Sequence, residues 1–130
     1  MELTCTFFCD TEFKNINRVR EKIKFAILSA IYHGHNNFYV QNKSLFDKLV
    51  LSVLEEINNN PFGITQNVHI QDNCDYKQLL HDSNLTILYT QSSTTIFLNS
   101  SKKLINLFSN IDSMEDRTIL LKSIHDEFYS

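Results

Sequence analysis

The side chains best suited to bind a small ligand fall in three short polar segments of the sequence. They are Cys9, Asp10 and Thr11 in the first segment, Asn42, Lys43 and Asp47 in the second, and Thr90, Ser92, Ser93, Thr94 and Thr95 in the third. The hydroxyl groups of the third segment could hydrogen-bond a ligand phosphate or ribose, although Ser and Thr are also common in loops and at helix N-caps. Each segment follows a predicted strand, so we expect a ligand site where these strands end.

Asp47 is an acidic residue in the first turn of a predicted helix that begins at Ser44. Its carboxylate could contact a ligand hydroxyl or orient the adjacent loop. Alternatively, it only stabilises the helix, because a negative charge near a helix N-terminus interacts favourably with the helix dipole. The sequence leaves both interpretations open, and the second is the more common role for such a residue.

Three cysteines, Cys5, Cys9 and Cys74, occur together with five histidines. Their spacing matches no compact zinc motif. Cys9, Cys74 and His81 could still meet at the carboxyl edge of the sheet, where Cys9 could also act as a nucleophile with His81 or Asp10 as its partner. Neither arrangement has a sequence signature, so we expect no metal site and no catalytic residue. Cys5 is expected to be a buried apolar side chain.

The composition limits the classes of protein and of partner. The 130 residues, of which 42% are hydrophobic, predict a single domain spanning residues 1–130 with a real core. A net charge of −3 argues against nucleic acid as an electrostatic partner. No apolar run approaches the roughly 20 residues that a membrane-spanning helix needs. The N-terminus has no secretion signal, and we therefore expect a cytoplasmic protein with free thiols.

Hydrophobic periodicity predicts the elements that position these segments. Short strands are expected at 2–8, 37–40, 65–71 and 85–90, and amphipathic helices at 15–32 and 44–57. Gly34 is placed to end the first helix, and Ser44 to cap the second.

Three parts of the chain are harder to assign. One helical turn is expected at 76–81. Residues 94–98 could form a fifth strand, or residues 95–108 could form a helix. The last 20 or so residues, which follow Ser113, predict a C-terminal helix.

Alternation of strands and helices with short loops predicts right-handed βαβ units and therefore a parallel sheet. We expect an α/β, three-layer, Rossmann-like domain with a short, mainly parallel sheet of four to five strands and helices on both faces. Ligands of such sheets bind at the carboxyl ends of the strands, near a switch in strand order. The three polar segments follow those ends.

Three stretches in this order resemble the SLOG superfamily, a Rossmann-like group that includes the cytokinin-activating "lonely guy" enzymes and the DNA-processing protein. They are Cys5-Thr6-Phe7-Phe8, the run from 38–40 to Phe46-Asp47-Lys48-Leu49-Val50, and 83–90. The most similar members are small bacterial or phage-type proteins. The resemblance covers roughly residues 3–100, and it implies a Rossmann-like fold and a site for a nucleotide-derived ligand.

The sequence departs from the family at its phosphate-binding turns. Where the family has Gly-His-Arg, this chain has Cys9-Asp10-Thr11, and the glycines of the second turn are replaced by Gln41 and Ser44. The family's Ser-x-Gly-Gly is replaced by the hydroxyl run 92–95. Glycine lets backbone N–H groups approach a phosphate closely, yet the chain has only two glycines, neither in such a turn. A dinucleotide fingerprint and a P-loop are thereby excluded.

These observations lead to three hypotheses about function. The first is a non-catalytic module that binds a nucleotide-derived or other small ligand at the carboxyl edge, or that serves as an assembly scaffold. The second is a protein-interaction factor of a mobile element or phage. The third is a nucleotide phosphoribohydrolase, but the Gly-Gly-x-Gly-Thr turn and the assisting Glu of the family's enzymes are absent. No cofactor is expected.

The second predicted helix has more apolar residues than one buried stripe requires. These residues are Leu45, Phe46, Leu49, Val50, Leu51, Val53, Leu54 and Ile57. A surplus apolar surface is usually covered by a partner. We therefore predict a homodimer through this helix, with roughly 600–900 Å² buried on each partner.

Overall fold

The computed structural model describes residues 3–13, 15–60, 63, 65–71, 76–90 and 103–108. The elements are β1 (Leu3–Cys9), α1 (Ile16–Tyr32), β2 (His35–Val40), α2 (Leu45–Asn58), β3 (Asn67–Ile70), α3 (Tyr76–Asp82), β4 (Leu85–Tyr89) and β5 (Lys103–Asn106). The elements predicted between residues 2 and 90 are all present, with ends that differ by one or two residues.

The five strands form one sheet in the order β3-β2-β1-β4-β5, and every neighbouring pair is parallel. This confirms the predicted α/β class and the Rossmann-like arrangement. The strand order reverses at β1, because β2 and β3 extend the sheet on one side and β4 and β5 on the other. The connections at a reversal run in opposite directions, which opens a crevice beyond the carboxyl ends of β1 and β4.

One face of the sheet carries the main hydrophobic core. Cys5 and Phe7 of β1 are almost completely buried there and share a cluster with Ile23 of α1 and Val50 of α2. Helices α1 and α2 also contact each other through Glu56, which accepts hydrogen bonds from Arg20 at 2.9 Å and Lys24 at 3.0 Å. The two helices therefore form a single layer over this face.

The opposite face is joined to α3 by a cluster of buried hydroxyl groups. Side chains alternate between the faces of a strand, so Thr6 points away from the core that contains Cys5 and Phe7. Its hydroxyl lies 2.7 Å from that of Ser83, which follows α3, and 2.8 Å from that of Thr86. Each of these three residues is buried. This cluster fixes the end of α3 to the second face and completes the predicted three layers.

Local sequence signals set the ends of α1 and α2. The Asn15 side chain accepts a hydrogen bond from the Arg18 backbone N–H at 3.1 Å and begins α1. Gly34 follows the end of α1 with φ of 94°, a conformation that a side chain disfavours. Ser44 caps α2 by accepting from the Asp47 N–H at 3.1 Å. The predicted roles of Gly34 and Ser44 are confirmed.

Strand β5 contradicts one of the two predictions for the region 94–108, which were a strand at 94–98 and a helix at 95–108. Residues Lys103–Asn106 form β5, which pairs with β4, so a helix that continues to residue 108 is wrong. The free side of β4 needs a hydrogen-bonding partner, and Ile105 of β5 is fully buried beside it. The predicted strand at 94–98 and the predicted C-terminal helix lie outside the described residues.

Helix α2 is better covered by its own domain than the sequence suggested. Leu51 and Ile57, two of its surplus apolar residues, are partly buried and pack against the core. Leu45 is the large apolar side chain of α2 that is clearly exposed, at 50%. Helix α2 therefore leaves less apolar surface for a partner than its sequence predicts, and the homodimer through α2 stays a prediction. Within the described part of the chain, no helix is long and apolar enough to cross a membrane.

Candidate functional site

A cleft of about 520 Å³ lies at the carboxyl edge of the sheet, between the loop that follows β1 and the start of α2. The described residues that line it are Cys9, Asp10, Thr11, Glu12, Phe13, Ser44, Leu45 and Phe46. Its volume falls in the range of small-molecule sites, which is about 300–1,000 Å³. Its position, at the carboxyl edge of the sheet, is also the one at which the parallel sheet and the polar segments predict a ligand site.

The loop after β1 forms one wall of the cleft and is held in place at the switch in strand order. The Asp10 N–H donates to the Tyr89 carbonyl of β4 at 3.3 Å. The Thr11 hydroxyl donates to the Asp10 carboxylate at 3.0 Å, and the Cys9 thiol donates to the Thr11 carbonyl at 3.3 Å. These contacts give the loop a defined conformation beside β4.

Cys9 is in an environment that disfavours its thiolate. Burial raises the pKa of the Cys9 thiol, its hydrogen bond to the Thr11 carbonyl lowers it in part, and the charges of Asp10 and Asp47 raise it further. The net shift is upward, so the thiol is protonated at neutral pH. A cysteine nucleophile needs the opposite shift.

The start of α2 forms the other wall, and Asp47 stabilises it. One oxygen of the Asp47 carboxylate accepts hydrogen bonds from the N–H groups of Lys43 and Ser44, each at 3.1 Å. In return, the Ser44 hydroxyl accepts from the Asp47 N–H. This reciprocal pair is a capping box. Both the helix role and the loop-orienting role foreseen for Asp47 are present, and its side chain is 8% exposed.

Aromatic side chains form the base of the site. Tyr89, at the end of β4, packs edge-on against Phe13 and against Phe108, with ring centroids 5.6 Å apart in each pair. The ring of Phe46 lies 6.5 Å from that of Tyr89. Phe13 and Phe46 also line the cleft, so the aromatic cluster gives the cleft an apolar surface below its polar rim.

The cleft brings together some of the predicted site residues and not others. Cys9, Asp10 and Thr11 line it, whereas Asn42 and Lys43 are exposed beside it and are not among the described lining residues. Thr90 is buried, and its backbone N–H and carbonyl are bonded to the Asn106 side chain. The predicted residues Ser92, Ser93, Thr94 and Thr95 lie outside the described residues.

His81 is on the wrong edge of the sheet for the arrangements considered with Cys9. It lies in the last turn of α3, which ends just before β4 begins at Leu85. Leu85 pairs with Cys5, and Tyr89 pairs with Cys9. Four residues of strand separate the two ends by about 13 Å. A helix that precedes a parallel strand ends at the amino edge of the sheet, so His81 cannot serve Cys9 as a base or as a fellow metal ligand.

Five of the described lining residues were not among the predicted site residues: Glu12, Phe13, Ser44, Leu45 and Phe46. Ser44 was predicted only as the cap of α2. Glu12 and Phe13 continue the polar segment that begins at Cys9, and position alone could have included them. Leu45 and Phe46 were assigned to the apolar stripes of α2, because periodicity does not distinguish a core contact from a cleft wall at the first turn of a helix.

Models of known protein families and curated proteins were compared with the sequence, and none matches it. The resemblance to the SLOG superfamily therefore stays a prediction. Within the described ranges, no group of three or more His, Cys, Asp or Glu side chains is arranged to hold a metal ion.

Proposed function

We propose that the protein is a non-catalytic cytoplasmic module that binds a small ligand at the carboxyl edge of its sheet. The observation that supports this most directly is the cleft between the loop after β1 and the start of α2. It has a suitable volume, and it lies at the carboxyl edge of the sheet, the edge at which such sheets bind ligands. A nucleotide-derived ligand is the class that the SLOG resemblance implies.

Binding is favoured over catalysis by the state of the groups that could react. The raised pKa of the Cys9 thiol keeps it protonated, and one oxygen of the Asp47 carboxylate accepts hydrogen bonds from two backbone N–H groups. Asp10 and Glu12 are exposed carboxylates. A carboxyl group that acts as a general acid or base is usually shielded from water by its site, and these two are not.

Ligand-induced stabilisation tests this proposal. Thermal unfolding would be followed with nucleosides, mononucleotides, cyclic nucleotides, NAD and ADP-ribose, each at millimolar concentration. A ligand at ten times its Kd stabilises the folded state by about 1.4 kcal/mol, which is a measurable shift in Tm. If none of these compounds stabilises the protein, the proposed ligand class is wrong.

A pair of matched variants places any binding in the cleft. Leu45 lines the cleft and is 50% exposed, whereas Leu28 is 43% exposed on α1 and is not part of the lining. We expect Leu45→Gln to weaken binding and Leu28→Gln to leave it unchanged, with little effect of either on stability. Equal effects of the two substitutions would show that the ligand binds elsewhere.

Assembly is the alternative function, either as a homodimer through α2 or as a factor that binds another protein. Its support is the exposed Leu45 and the apolar content of the helix. Light scattering after size-exclusion chromatography, at low micromolar protein, distinguishes a homodimer from a monomer. A mass near twice the 15.2 kDa of the chain is expected for a homodimer, and a mass near 15.2 kDa would exclude it.

A further inference from the structure

The charged side chains among the described lining residues of the cleft are of one sign. Among the described lining residues, Asp10 and Glu12 are charged, and both are negative and exposed. Lys43 is the cation among the predicted site residues, and it is exposed outside that lining. A ligand anion in the cleft would lie near these two carboxylates, and their repulsion would oppose its binding.

Three backbone donors at the start of α2 are bonded within the protein. A phosphate at the carboxyl edge of a parallel sheet normally receives N–H groups from a helix N-terminus. In α2, the N–H groups of Lys43 and Ser44 donate to the Asp47 carboxylate, and that of Asp47 donates to the Ser44 hydroxyl. An anion that used the N–H group of Lys43 or Ser44 would have to displace the protein's own carboxylate.

One backbone donor of the first wall of the cleft is also bonded within the protein. The Asp10 N–H, which lies in the turn after β1, donates to the Tyr89 carbonyl. At the start of α1, the Arg18 N–H donates to the Asn15 side chain. Phe13, Leu45 and Phe46 add apolar surface to the described lining, which also includes the hydroxyl groups of Thr11 and Ser44. The cleft thus combines an apolar surface for a ring with carboxylates that accept hydrogen bonds.

We infer that the cleft selects ring compounds that carry N–H or O–H donors and no phosphate or carboxylate, such as unphosphorylated nucleosides or free nucleobases. This inference rests on the proposed ligand-binding function and specifies the chemical class of its ligand. The donors of the ligand face Asp10 and Glu12, and its ring packs on the apolar surface. The Asp47 carboxylate already accepts from the N–H groups of Lys43 and Ser44, which a ligand phosphate could otherwise use.

The test compares each nucleoside with its own 5′-monophosphate. Titration calorimetry at low salt would measure the Kd of the four common nucleosides and of the four monophosphates. Repulsion between a phosphate dianion and two nearby carboxylates should weaken the monophosphate by about fivefold to tenfold, and added salt should reduce the difference. At least one nucleoside is expected to bind more tightly than its monophosphate.

Two other results have distinct meanings. If monophosphates bind as tightly as nucleosides or more tightly, the inference is wrong, but the ligand-binding function stands. If no nucleoside, nucleobase or nucleotide binds at millimolar concentration, both the inference and the nucleotide-derived ligand of the proposed function are wrong.

Charge-neutralising variants test whether the carboxylates cause the selection. The double substitution Asp10→Asn and Glu12→Gln removes both charges, and the amide that replaces the first carboxylate keeps an oxygen to accept from the Thr11 hydroxyl. Glu55→Gln is the control, because Glu55 is exposed on α2 and lies outside the described lining. The nucleoside-to-monophosphate ratio of affinities should fall by about fivefold in the double variant and remain unchanged in the control. An unchanged ratio in the double variant would overturn the inference.

Discussion

Replacement of Asp47 by alanine should destabilise the protein, because its carboxylate holds the start of α2 together. The substitution removes the acceptor of two backbone N–H groups, those of Lys43 and Ser44. It also removes a negative charge from the positive end of the helix dipole. These losses belong to the folded state and need no ligand, so the effect is expected in the free protein.

The expected magnitude follows from the geometry of the capping box. A hydrogen bond to a charged group contributes about 1.5–3 kcal/mol, but Lys43 and Ser44 are exposed and their freed N–H groups can bond to water. Loss of an N-cap costs about 0.5–2 kcal/mol, and the charge–dipole interaction adds about 0.3–1 kcal/mol. We expect Asp47→Ala to lower the free energy of unfolding by about 1–2.5 kcal/mol.

Urea denaturation followed by circular dichroism measures this change. Asp47→Asn keeps an oxygen acceptor and loses the charge, so its effect should be about half that of Asp47→Ala. Glu55→Ala, an exposed substitution on the same helix, should change the free energy of unfolding by less than about 0.5 kcal/mol. Combining Ser44→Ala with Asp47→Ala should cost less than the sum of the single effects, since the two residues bond reciprocally.

One result would refute this account of Asp47. If Asp47→Ala unfolds at the same urea concentration as the wild type, the capping box does not stabilise α2. If the same variant also loses ligand binding, the carboxylate serves the ligand instead, which is the alternative that the sequence left open.

Three further predictions concern other parts of the fold. Thr6→Val keeps the shape of the side chain but removes the hydroxyl that bonds Ser83 and Thr86, and it should cost about 1–3 kcal/mol of stability. Thr6→Ser keeps the hydroxyl and should cost less; a Thr6→Val variant as stable as the wild type would show that the hydroxyl does not stabilise the cluster. Burial lowers the pKa of His35 below its usual value near 6.5, so the unfolded state takes up the proton first as the pH falls. The free energy of unfolding should therefore not be reduced by His35 above about pH 7. Below about pH 6.5 it should decrease with falling pH, by up to about 1.4 kcal/mol per pH unit. His35→Asn should show a shallower decline in urea denaturation across this range, and an identical slope would contradict the assignment. Gly34→Ala should cost about 1–2 kcal/mol because φ is 94°, whereas Gly63→Ala, at an exposed bend, should be nearly neutral in the same assay.

Local signals in the sequence were sufficient to locate most of the described elements. The apolar stripe of α1, the hydroxyl of Ser44 and the glycine after α1 depend on residues within one or two turns of each other, so their effects can be predicted without the rest of the fold. The region after residue 90 was harder. β5 forms because the open side of β4 needs a partner, and that requirement is not visible in residues 103–106 themselves.

The sequence by itself determined the α/β class, the parallel sheet and the edge at which a ligand site is expected, because these follow from the order of strands and helices. Only the tertiary structure decided which polar residues meet there. Register placed His81 at the opposite end of β4 from Cys9, and reciprocal hydrogen bonds turned Asp47 toward its own helix. Packing brought Phe13 and Phe46 around Tyr89 beside the cleft. These contacts join residues far apart in the chain or depend on where a side chain points, and neither is encoded in local spacing.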